Sequence, residues 1–284
     1  MKKNNLNIGK SGSYIQSLSR EEHDKKLRTF HMKNTEEMNY TCKECKKIIS
    51  AHNNDWHDGM CDNCFNKNYF PDDPLDPKFS KGSCRNCKQP FSQRAMKKHL
   101  QTCLKDTGVI DSFLIRASAG PFFIYLTIPR NKPLSFLDHF LRDVWLECCG
   151  HLSRFIINKI SYMSDDELEE DEKSMLTKMF AILKPGLKFT YEYDFGTTTM
   201  LELECISAIK TNTEKPVIIA RNNLPRIKCM DCKNPAEVIC TYCIYSGDCF
   251  LCKKCAKKHK CEEPDFLPIV NSPRMGMCGY TGED

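Results

Sequence analysis

Apolar residues concentrate in the middle of the chain, in runs whose period changes from strand-like to helical. Residues 113–128 are mostly β-branched or aromatic around a Gly-Pro turn, which predicts one or two strands. Residues 188–194 and 200–209 alternate apolar and polar positions, and this alternation predicts a hairpin. Residues 151–160 and Val217–Ala220 predict two more strands, the second of them at a sheet edge.

Between these strands the apolar positions follow a helical period. One stripe comprises Leu137, Leu141, Val144, Trp145 and Cys148. It predicts a helix from a cap at Ser135 to about Cys148, with Cys148 in the core. Met175–Leu183 predicts a second, shorter helix. The order β-α-β-α-β-β indicates an α+β domain with a central mixed or antiparallel sheet and helices on one face.

Cysteines mark the two ends of the chain. Most of the 19 cysteines occur as Cys-x-x-Cys pairs, and the short loop lets two thiolates converge on one tetrahedral cation, typically zinc. Disulfide pairing would need an oxidising compartment. Residues 1–20 hold no signal-like apolar run, and no stretch reaches the roughly 18 apolar residues of a membrane span. We therefore expect a cytoplasmic protein with about four structural Zn²⁺ ions and no small-molecule cofactor.

The spacing divides the chain into a series of regions. A flexible polar leader, 1–40, precedes a zinc-ribbon or treble-clef-like module at 41–70. A zinc finger with a Cys-Cys-His-Cys (C2HC) ligand set follows at 83–106, then the α+β domain at 110–222. A double zinc finger with a Pro/Gly-rich tail ends the chain at 227–284. Small zinc-stabilised modules thus flank the central domain.

Two zinc sites are predicted before the central domain. The ligands of the first are Cys42, Cys45, Cys61 and Cys64. His52 and His57 are possible substitutes there, interpreted as loop residues because four thiolates complete a tetrahedron. The ligands of the second are Cys84, Cys87, His99 and Cys103. His99 and Cys103 are four residues apart, so one helical face presents both, and the module resembles a C2H2-type finger with Cys103 in the last ligand place.

Two further sites are predicted after the central domain, in a cross-brace. The first comprises Cys229, Cys232, Cys252 and Cys255, and the second Cys240, Cys243, His259 and Cys261. The module resembles B-box-type fingers. Its fourth pair is open, because Cys249 or Cys278 could replace Cys261; the alternative is a single four-thiolate site. The tail beyond Asn271 is expected to fold back on this module with Cys278 near the metal.

The net charge of +5 is mild and fits nucleic acid or an acidic partner only weakly. Cations cluster on two predicted finger helices. The candidate nucleic-acid contacts are Arg94, Lys97, Lys98, Lys253, Lys254, Lys257 and Lys258. The alternative is that they keep the helices solvated and offset the negative charge of thiolate–zinc sites.

Few polar residues of the central domain suggest chemistry. Asp194 and His151 are the candidates for a polar site, although a turn and a packed histidine explain them as well. Cys148 and Cys149 are adjacent, and neighbours in one helix point about 100° apart, so a shared metal is not expected there. Cys205 is the remaining cysteine without a predicted role.

Three segments of the central domain resemble one family. Residues 137–142, 150–155 and 184–196 look like the Ri-plasmid ORF-three-like family, and the string Tyr191-Glu-Tyr193-Asp194-Phe195-Gly196 is the specific part. The resemblance covers roughly residues 110–222 and implies the fold of a domain found in plasmid, transposon-passenger and archaeal proteins. It implies no activity. The family's following Asp-x-Trp and His are replaced here by Thr197, Thr199 and Leu201.

These observations predict a non-enzymatic zinc-binding adaptor that contacts protein, nucleic acid or both through its fingers. Cysteine-saturated sites are closed, whereas catalytic zinc keeps an open position. No nucleophile–base pair, phosphate loop or carboxylate pair is recognisable in the sequence. The alternatives are a nucleic-acid-binding protein linked to mobile elements or regulation, an enzyme of unknown reaction in the middle domain, and a dithiol redox sensor.

Overall fold

The computed structural model describes residues 20–29, 32, 35–69, 74–165, 167–244 and 249–282. Residues 1–19, which form about half of the predicted polar leader, lie outside the described residues. The chain divides into two units, Met1–Asp73 with Tyr245–Asp248, and Pro74–Ile244 with Cys249–Asp284.

The described residues of the first unit form three short helices and one small hairpin. They are α1 (Arg20–Thr29), β1 (Tyr40–Thr41), β2 (Ile48–Ile49), α2 (Ala51–Trp56) and α3 (Asp62–Tyr69). Ser50 caps α2, because its hydroxyl accepts a hydrogen bond from the amide of Asn53. The buried apolar residues among those described in this unit are Cys42, Ile49, Ala51 and Met60. So small a core cannot hold a fold by itself, which makes the cysteine cluster the main constraint on this unit.

The second unit is built on a ten-stranded sheet. Its strands are β3 (Lys81–Cys84), β4 (Pro90–Ser92), β5 (Ile110–Ala119), β6 (Phe122–Pro129), β7 (Ser153–Ile157), β8 (Ile160–Met163), β9 (Lys173–Ser174), β10 (Lys188–Tyr193), β11 (Thr199–Thr211) and β12 (Val217–Asn222). The spatial order is β4-β3-β12-β6-β5-β11-β10-β7-β8-β9. Only β8 and β9 pair in parallel among these strands. The predicted α+β class with a large mixed sheet is therefore confirmed.

Alternation along the central strands divides the apolar residues between two faces. Ile124 and Leu126 of β6 belong to the main core, which the helix α5 (Leu134–Leu141) covers. Phe123 and Tyr125 point to the opposite face and pack on the finger helix α4 (Gln93–Cys103). Since both faces are covered, every residue of β6 is buried, which accounts for its continuous apolar sequence.

The C2HC finger, residues 83–106, is part of the main sheet. Its hairpin strand β3 pairs with β12, with Gly82 opposite Asn222. A Cβ at Gly82 would lie 2.2 Å from the carbonyl oxygen of Arg221, so only glycine permits this approach. The prediction that Val217–Ala220 forms an edge strand is wrong, because β12 lies between β6 and β3.

Three predicted elements of the central domain differ in the structure. The helix predicted to reach about Cys148 ends earlier: α5 continues into a π-helical turn, Arg142–Leu146, and the cysteines that follow lie in a loop. Residues 151–160, predicted as one strand, form parts of the hairpin β7–β8. Asn158 and Lys159 turn that hairpin with φ values of 51° and 69°, as a type I′ turn requires. The second predicted helix shortens to α6 (Met179–Ile182).

The C-terminal module forms a separate three-stranded sheet within the second unit. It contains β13 (Val238–Cys240), β14 (Phe250–Leu251), α7 (Lys253–Ala256) and β15 (Phe266–Pro268), with β13 in the centre. Phe250 packs against the main core, so the module is attached to the central domain by apolar contacts. The C-terminal tail, 271–282, then runs back over the central domain with Arg274 fully buried.

Candidate metal centres

Three of the Cys-x-x-Cys pairs share one local structure, a zinc knuckle. In each, the residue after the second cysteine is a lysine in the left-handed region: Lys46, Lys88 and Lys233 have φ between 62° and 64°. The amide of that lysine donates to the carbonyl of the first cysteine, over 2.8 to 3.0 Å. This turn folds the chain so that both sulfurs point to the same side, which explains why the local sequence alone predicts these pairs.

Backbone amides also tune the knuckle sulfurs. Burial opposes ionisation of the Cys42 thiol, but amides including those of Cys45 and Cys61 donate to its sulfur and lower its pKa to about 6. Cys229 behaves in the same way: burial is outweighed by amides including those of Cys232 and Cys252, and its pKa falls to about 6. The first sulfur of each of these two knuckles therefore favours the thiolate form, which binds metal.

The first predicted site is assembled in the first unit. Cys42, Cys45, Cys61 and Cys64 lie together, with 3.6 Å between the sulfurs of Cys45 and Cys61. The two nearby histidines point elsewhere. His52 Nδ1 is 3.1 Å from the Thr29 carbonyl oxygen, and His57 Nδ1 is 3.0 Å from an Asp62 carboxylate oxygen. The four thiolates thus form the cluster without either imidazole.

The second predicted site joins the knuckle of β3–β4 to the C-terminal half of α4. Cys84, Cys87, His99 and Cys103 lie together, with Cys87 Sγ 3.2 Å from His99 Nε2. Ser92 caps α4, because its hydroxyl accepts a hydrogen bond from the backbone amide of Ala95. This cap sets where the helix begins. The Phe91 ring stacks on His99 with centroids 4.1 Å apart, so packing orients this imidazole toward the cysteines.

The C-terminal module contains both predicted cross-braced clusters. Cys229 and Cys232 meet Cys252 and Cys255, while Cys240 and Cys243 meet His259 and Cys261. Cys240 Sγ lies 3.8 Å from Cys261 Sγ, so Cys261 occupies the place for which Cys249 and Cys278 were alternatives. Gly276 of the tail backs onto Ile239 and Ile244 of this module, as expected, but Cys278 does not join its clusters.

A fifth cluster, which the sequence did not predict, brings together Cys148, Cys149, His151 and Cys278. We call it the tail cluster. His151 Nε2 lies 3.0 Å from Cys149 Sγ and 3.2 Å from Cys278 Sγ. Cys149 Sγ is 3.7 Å from Cys278 Sγ and 3.8 Å from Cys148 Sγ. Cys149 and Cys278 are exposed, and the other two ligands are half-buried.

The tail cluster forms because the helix ends before its cysteines. The expectation that Cys148 and Cys149 diverge assumed that both lie in one helix, but the helical residues end at Leu146. The loop then turns at Gly150, with φ of 80°, and Glu147 accepts the Gly150 amide. The expectation that these two cysteines point apart is therefore wrong, whereas Cys148 does pack against the main core as expected. The Cys-Cys-Gly-His string at 148–151 is the local sequence signal that could have indicated this cluster.

Asp194 and Arg274 adjoin the tail cluster. One Asp194 oxygen accepts the amides of Gly196 and Thr197, which confirms its role as a turn residue. The other oxygen accepts from the guanidinium of Arg274 and lies 3.6 Å from His151 Nε2. Hydrogen bonding from Arg274 and these amides outweighs burial and lowers the pKa of the Asp194 carboxyl. The side chains of Asp194, His151 and Arg274 thus lie together beside the tail cluster.

A second polar network supports the same loop from the helix side. The buried Asp138 accepts hydrogen bonds from Tyr191 at 2.7 Å, Ser153 at 2.6 Å and Arg142 at 2.9 Å. Burial and the Asp138 carboxylate raise the pKa of Tyr191 well above its usual value. Arg142 also donates a hydrogen bond to the Glu147 carboxylate, which accepts another from the Tyr193 hydroxyl over 3.2 Å. The network therefore runs from α5 to the start of the tail-cluster loop.

Among the predicted nucleic-acid contacts, Lys97 is half-buried and the others are exposed, and two of the seven form ion pairs. Lys97 pairs with the buried Glu204 over 2.5 Å, and Lys253 pairs with Glu237 over 3.2 Å. The remaining candidates, Arg94, Lys98, Lys254, Lys257 and Lys258, are exposed. These cations are divided between α4 of the C2HC finger and the C-terminal module.

Comparison with known proteins gives little beyond the structure itself. No family model matches the chain, and no curated protein matches it. Among solved structures, a protein of unknown function from Methanosarcina mazei Go1 is similar, with 15% identity and a TM-score of 0.32. The match covers 39% of this chain and 68% of that chain. The fold description therefore rests on the strand order and packing given above.

The five clusters have the geometry of metal sites. A tetrahedron with Zn–S bonds of about 2.3 Å has sulfur–sulfur edges of about 3.8 Å. The sulfur–sulfur separations quoted above, 3.6 to 3.8 Å, fit that edge and far exceed a disulfide bond. Within the described residues, Cys205 and Cys249 are the cysteines outside any cluster. A helix long and apolar enough to cross a membrane is absent from the same part of the chain.

Proposed function

We propose that this protein is a non-enzymatic zinc-binding adaptor, and that its C-terminal module engages a protein partner. The observation that carries this proposal is that four Cys or His ligands meet in each described cluster. A tetrahedral site filled by four protein ligands has no position for a substrate, which is the usual difference between structural and catalytic zinc. The ions would then organise binding surfaces.

Charge on the C-terminal module favours a protein partner over nucleic acid. The lysines at and after α7 are exposed, but Glu262 and Glu263 follow them within a few residues and are exposed too. Tyr242, which is also exposed, donates its hydroxyl to Glu262. Surfaces that bind a phosphate backbone are dominated by cations, whereas protein interfaces mix both signs.

The packing of the C2HC finger points the same way. Met96 and Leu100 bury one face of α4 against the sheet, and Lys97 is held by Glu204. A finger that reads duplex DNA inserts its helix into the major groove, and each finger covers only about 3 bp. With one face of its helix covered and no second C2H2-like finger beside it among the described residues, this finger is better suited to extending the sheet.

The test separates the two partner classes. The variant Lys254→Glu, Lys257→Glu, Lys258→Glu is compared with a control, Lys159→Glu, Lys188→Glu, Lys215→Glu, at exposed lysines elsewhere. We expect wild type to give flat anisotropy titrations with random-sequence DNA and RNA at low salt. We also expect a protein partner that co-purifies after nuclease treatment and is lost only from the first variant. Salt-dependent nucleic-acid binding, abolished in that variant, would contradict the proposal and favour the nucleic-acid alternative.

The proposal includes a family and a location. We assign the central domain to the Ri-plasmid ORF-three-like family. In support, Tyr191, Tyr193 and Asp194 of its specific string all enter the polar networks around the tail cluster. We place the adaptor in the cytoplasm, where thiols stay reduced and zinc competes well with disulfide formation. A chelator-sensitive hydrolase activity in protein that stays folded would instead favour the enzyme alternative.

A further inference from the structure

We propose that the tail cluster binds a fifth zinc ion, which fastens the C-terminal tail to the central domain. Its ligands are Cys148, Cys149 and His151 from the loop after α5, and Cys278 from the tail. The contacting residues are as many as 129 positions apart in sequence. This ion is additional to the four of the predicted modules, and its role is independent of the partner proposed above.

The ligand chemistry identifies the ion. Three soft thiolates and one imidazole are a donor set typical of zinc, and four such ligands complete its tetrahedron. The two sulfur–sulfur separations, 3.7 and 3.8 Å, match the tetrahedral edge of about 3.8 Å. Apolar packing does not explain this convergence, because Cys149 and Cys278 are exposed to solvent.

The backbone is bent to bring these ligands together. Cys278 has φ of 46°, a left-handed conformation that is unfavourable for a residue with a side chain. Glycines flank it at 276 and 279 with φ of 80° and 71°, so the whole segment turns tightly around the thiol. Strain at a single non-glycine residue persists where the surrounding structure compensates for it, and a metal bond to Cys278 would do so.

Charge at the site is compensated from the tail. Three thiolates and Zn²⁺ leave one net negative charge, and Asp194 adds another. Arg274 is fully buried, pairs with Asp194 and lies 3.7 Å from the sulfur of Cys148. A buried guanidinium facing a ligand sulfur stabilises the thiolate form. The tail therefore supplies both a ligand, Cys278, and a counter-charge, Arg274.

The tail is anchored before it reaches the cluster. The side chain of Asn271 exchanges hydrogen bonds with Asn222, and the Ser272 hydroxyl donates to the Trp145 carbonyl over 2.6 Å. These contacts keep the start of the tail, and therefore Cys278, close to the loop even without metal. Metal binding would then order the last residues, 276–282, whereas the segment from Asn271 to Arg274 stays in place.

Zinc content tests the site directly. We expect full-length protein to carry about one zinc more than either Cys149→Ser or Cys278→Ser, measured by elemental analysis against protein concentration. The control Cys205→Ala removes a buried cysteine outside the clusters and should retain the wild-type zinc content. Equal zinc in wild type and both variants would overturn the proposal. A variant that loses more than one ion is judged by the next measurement, which uses wild type only.

Alkylation under native conditions provides that measurement. Cys149 and Cys278 are exposed, so without metal both thiols are accessible to iodoacetamide, and labelling is followed over time at mildly alkaline pH. With zinc bound, mass spectrometry should find both protected until a chelator is added. Immediate labelling in zinc-loaded protein would overturn the proposal. Protection that resists the chelator but yields to a reductant would also overturn it, because that result indicates a Cys149–Cys278 disulfide.

Hydrogen exchange tests the fastening role. In Cys278→Ser, amides of residues 276–282 should exchange roughly tenfold faster or more, while those around Ser272 and Arg274 change little. Unchanged exchange across the whole tail would show that the metal does not order it, even if zinc is bound.

Discussion

Two kinds of Cys/His cluster occur in this protein, and they depend differently on the surrounding fold. The four predicted clusters contain three zinc knuckles, whose left-handed lysine and amide–sulfur hydrogen bonds are local features of a few residues. The tail cluster has no knuckle. Its ligands come from a loop after a helix and from a distant tail, held by Arg274, Asp194 and Asn271. In the first kind metal organises the chain, and in the second the folded chain organises a metal site.

The pKa values of the sulfurs do not follow this division. Amides outweigh burial and lower the pKa of Cys42 and Cys229 to about 6. In the first cluster, however, the hydrogen bond with Cys61, followed by burial, raises the pKa of Cys64 to about 12. At Cys149 of the tail cluster the hydrogen bond with Cys278, followed by burial, raises the pKa to about 11. Clusters of both kinds therefore need a cation to hold all their sulfurs as thiolates.

The largest expected effect concerns the first unit. Cys42→Ser should unfold residues 40–69, because Cys42, Ile49, Ala51 and Met60 are the buried apolar residues described there. Structural zinc contributes about 10–16 kcal/mol of apparent free energy in finger peptides. Limited proteolysis and hydrogen exchange would detect the loss. Cys278→Ser is the matched comparison and should leave the central domain folded. If both variants unfold their surroundings equally, the distinction between the two kinds of cluster is wrong.

Next comes the buried ion pair of the tail. Arg274→Met should lower the free energy of unfolding of the central domain by about 3–5 kcal/mol, because Asp194 is left buried and unpaired. Urea unfolding followed by Trp145 fluorescence, in a Trp56→Phe background, measures this change. The control Arg154→Met removes a more exposed partner of Glu192 and should cost about 0–1 kcal/mol. Equal effects would mean that packing of the tail contributes little.

A smaller effect is expected where a knuckle-based finger meets the sheet. Gly82→Ala should destabilise the second unit by about 1–3 kcal/mol, because its methyl group would collide with the Arg221 carbonyl. Amides of β3 and β12 should lose exchange protection together. Ser83→Ala in the same strand is the control and should behave as wild type. If Gly82→Ala leaves that protection intact, the finger does not depend on its pairing with β12.

The smallest expected effect concerns the surface of that finger. Lys97→Met should cost about 1 kcal/mol or less, because Lys97 is one-third exposed and Arg116 remains 3.5 Å from Glu204. Lys98→Met on the same helix is exposed and should be neutral. Thermal unfolding of wild type and the two variants measures the loss of stability in each. A loss for Lys97→Met well above that for Lys98→Met indicates that the Lys97–Glu204 ion pair stabilises the second unit. Equal losses would mean that Lys97 behaves like the other lysines on the surface of the finger.

Sequence reasoning succeeded where structure is local. The knuckle spacings, the hairpin of residues 188–209 and the alternating pairs of the C-terminal module all involve neighbouring residues, and the structure brings the predicted ligands together. It failed for β12, which was expected at an edge. The finger strand β3 covers that edge. No local pattern around Gly82 predicts that this strand pairs with β12, some 140 residues away in sequence.

The tail cluster shows the same limit for a site. A helical stripe that included Cys148 argued against convergence of two adjacent cysteines, but the helix ends at Leu146 through a π-turn. Cys278 was expected near the C-terminal module, and the tail does pass that module at Gly276 before joining the loop. Where a chain end docks depends on buried partners such as Trp145 and Asp194, whose positions exist only in the folded domain.

The sequence by itself determined the α+β class and the four cysteine-rich clusters at the ends, because period and spacing act over a few residues. The tertiary structure decided that the C2HC finger extends the main sheet and that Cys148, Cys149, His151 and Cys278 meet. Both are long-range contacts, and they form because the sheet edge and the buried Arg274–Asp194 pair are satisfied only when distant segments come together.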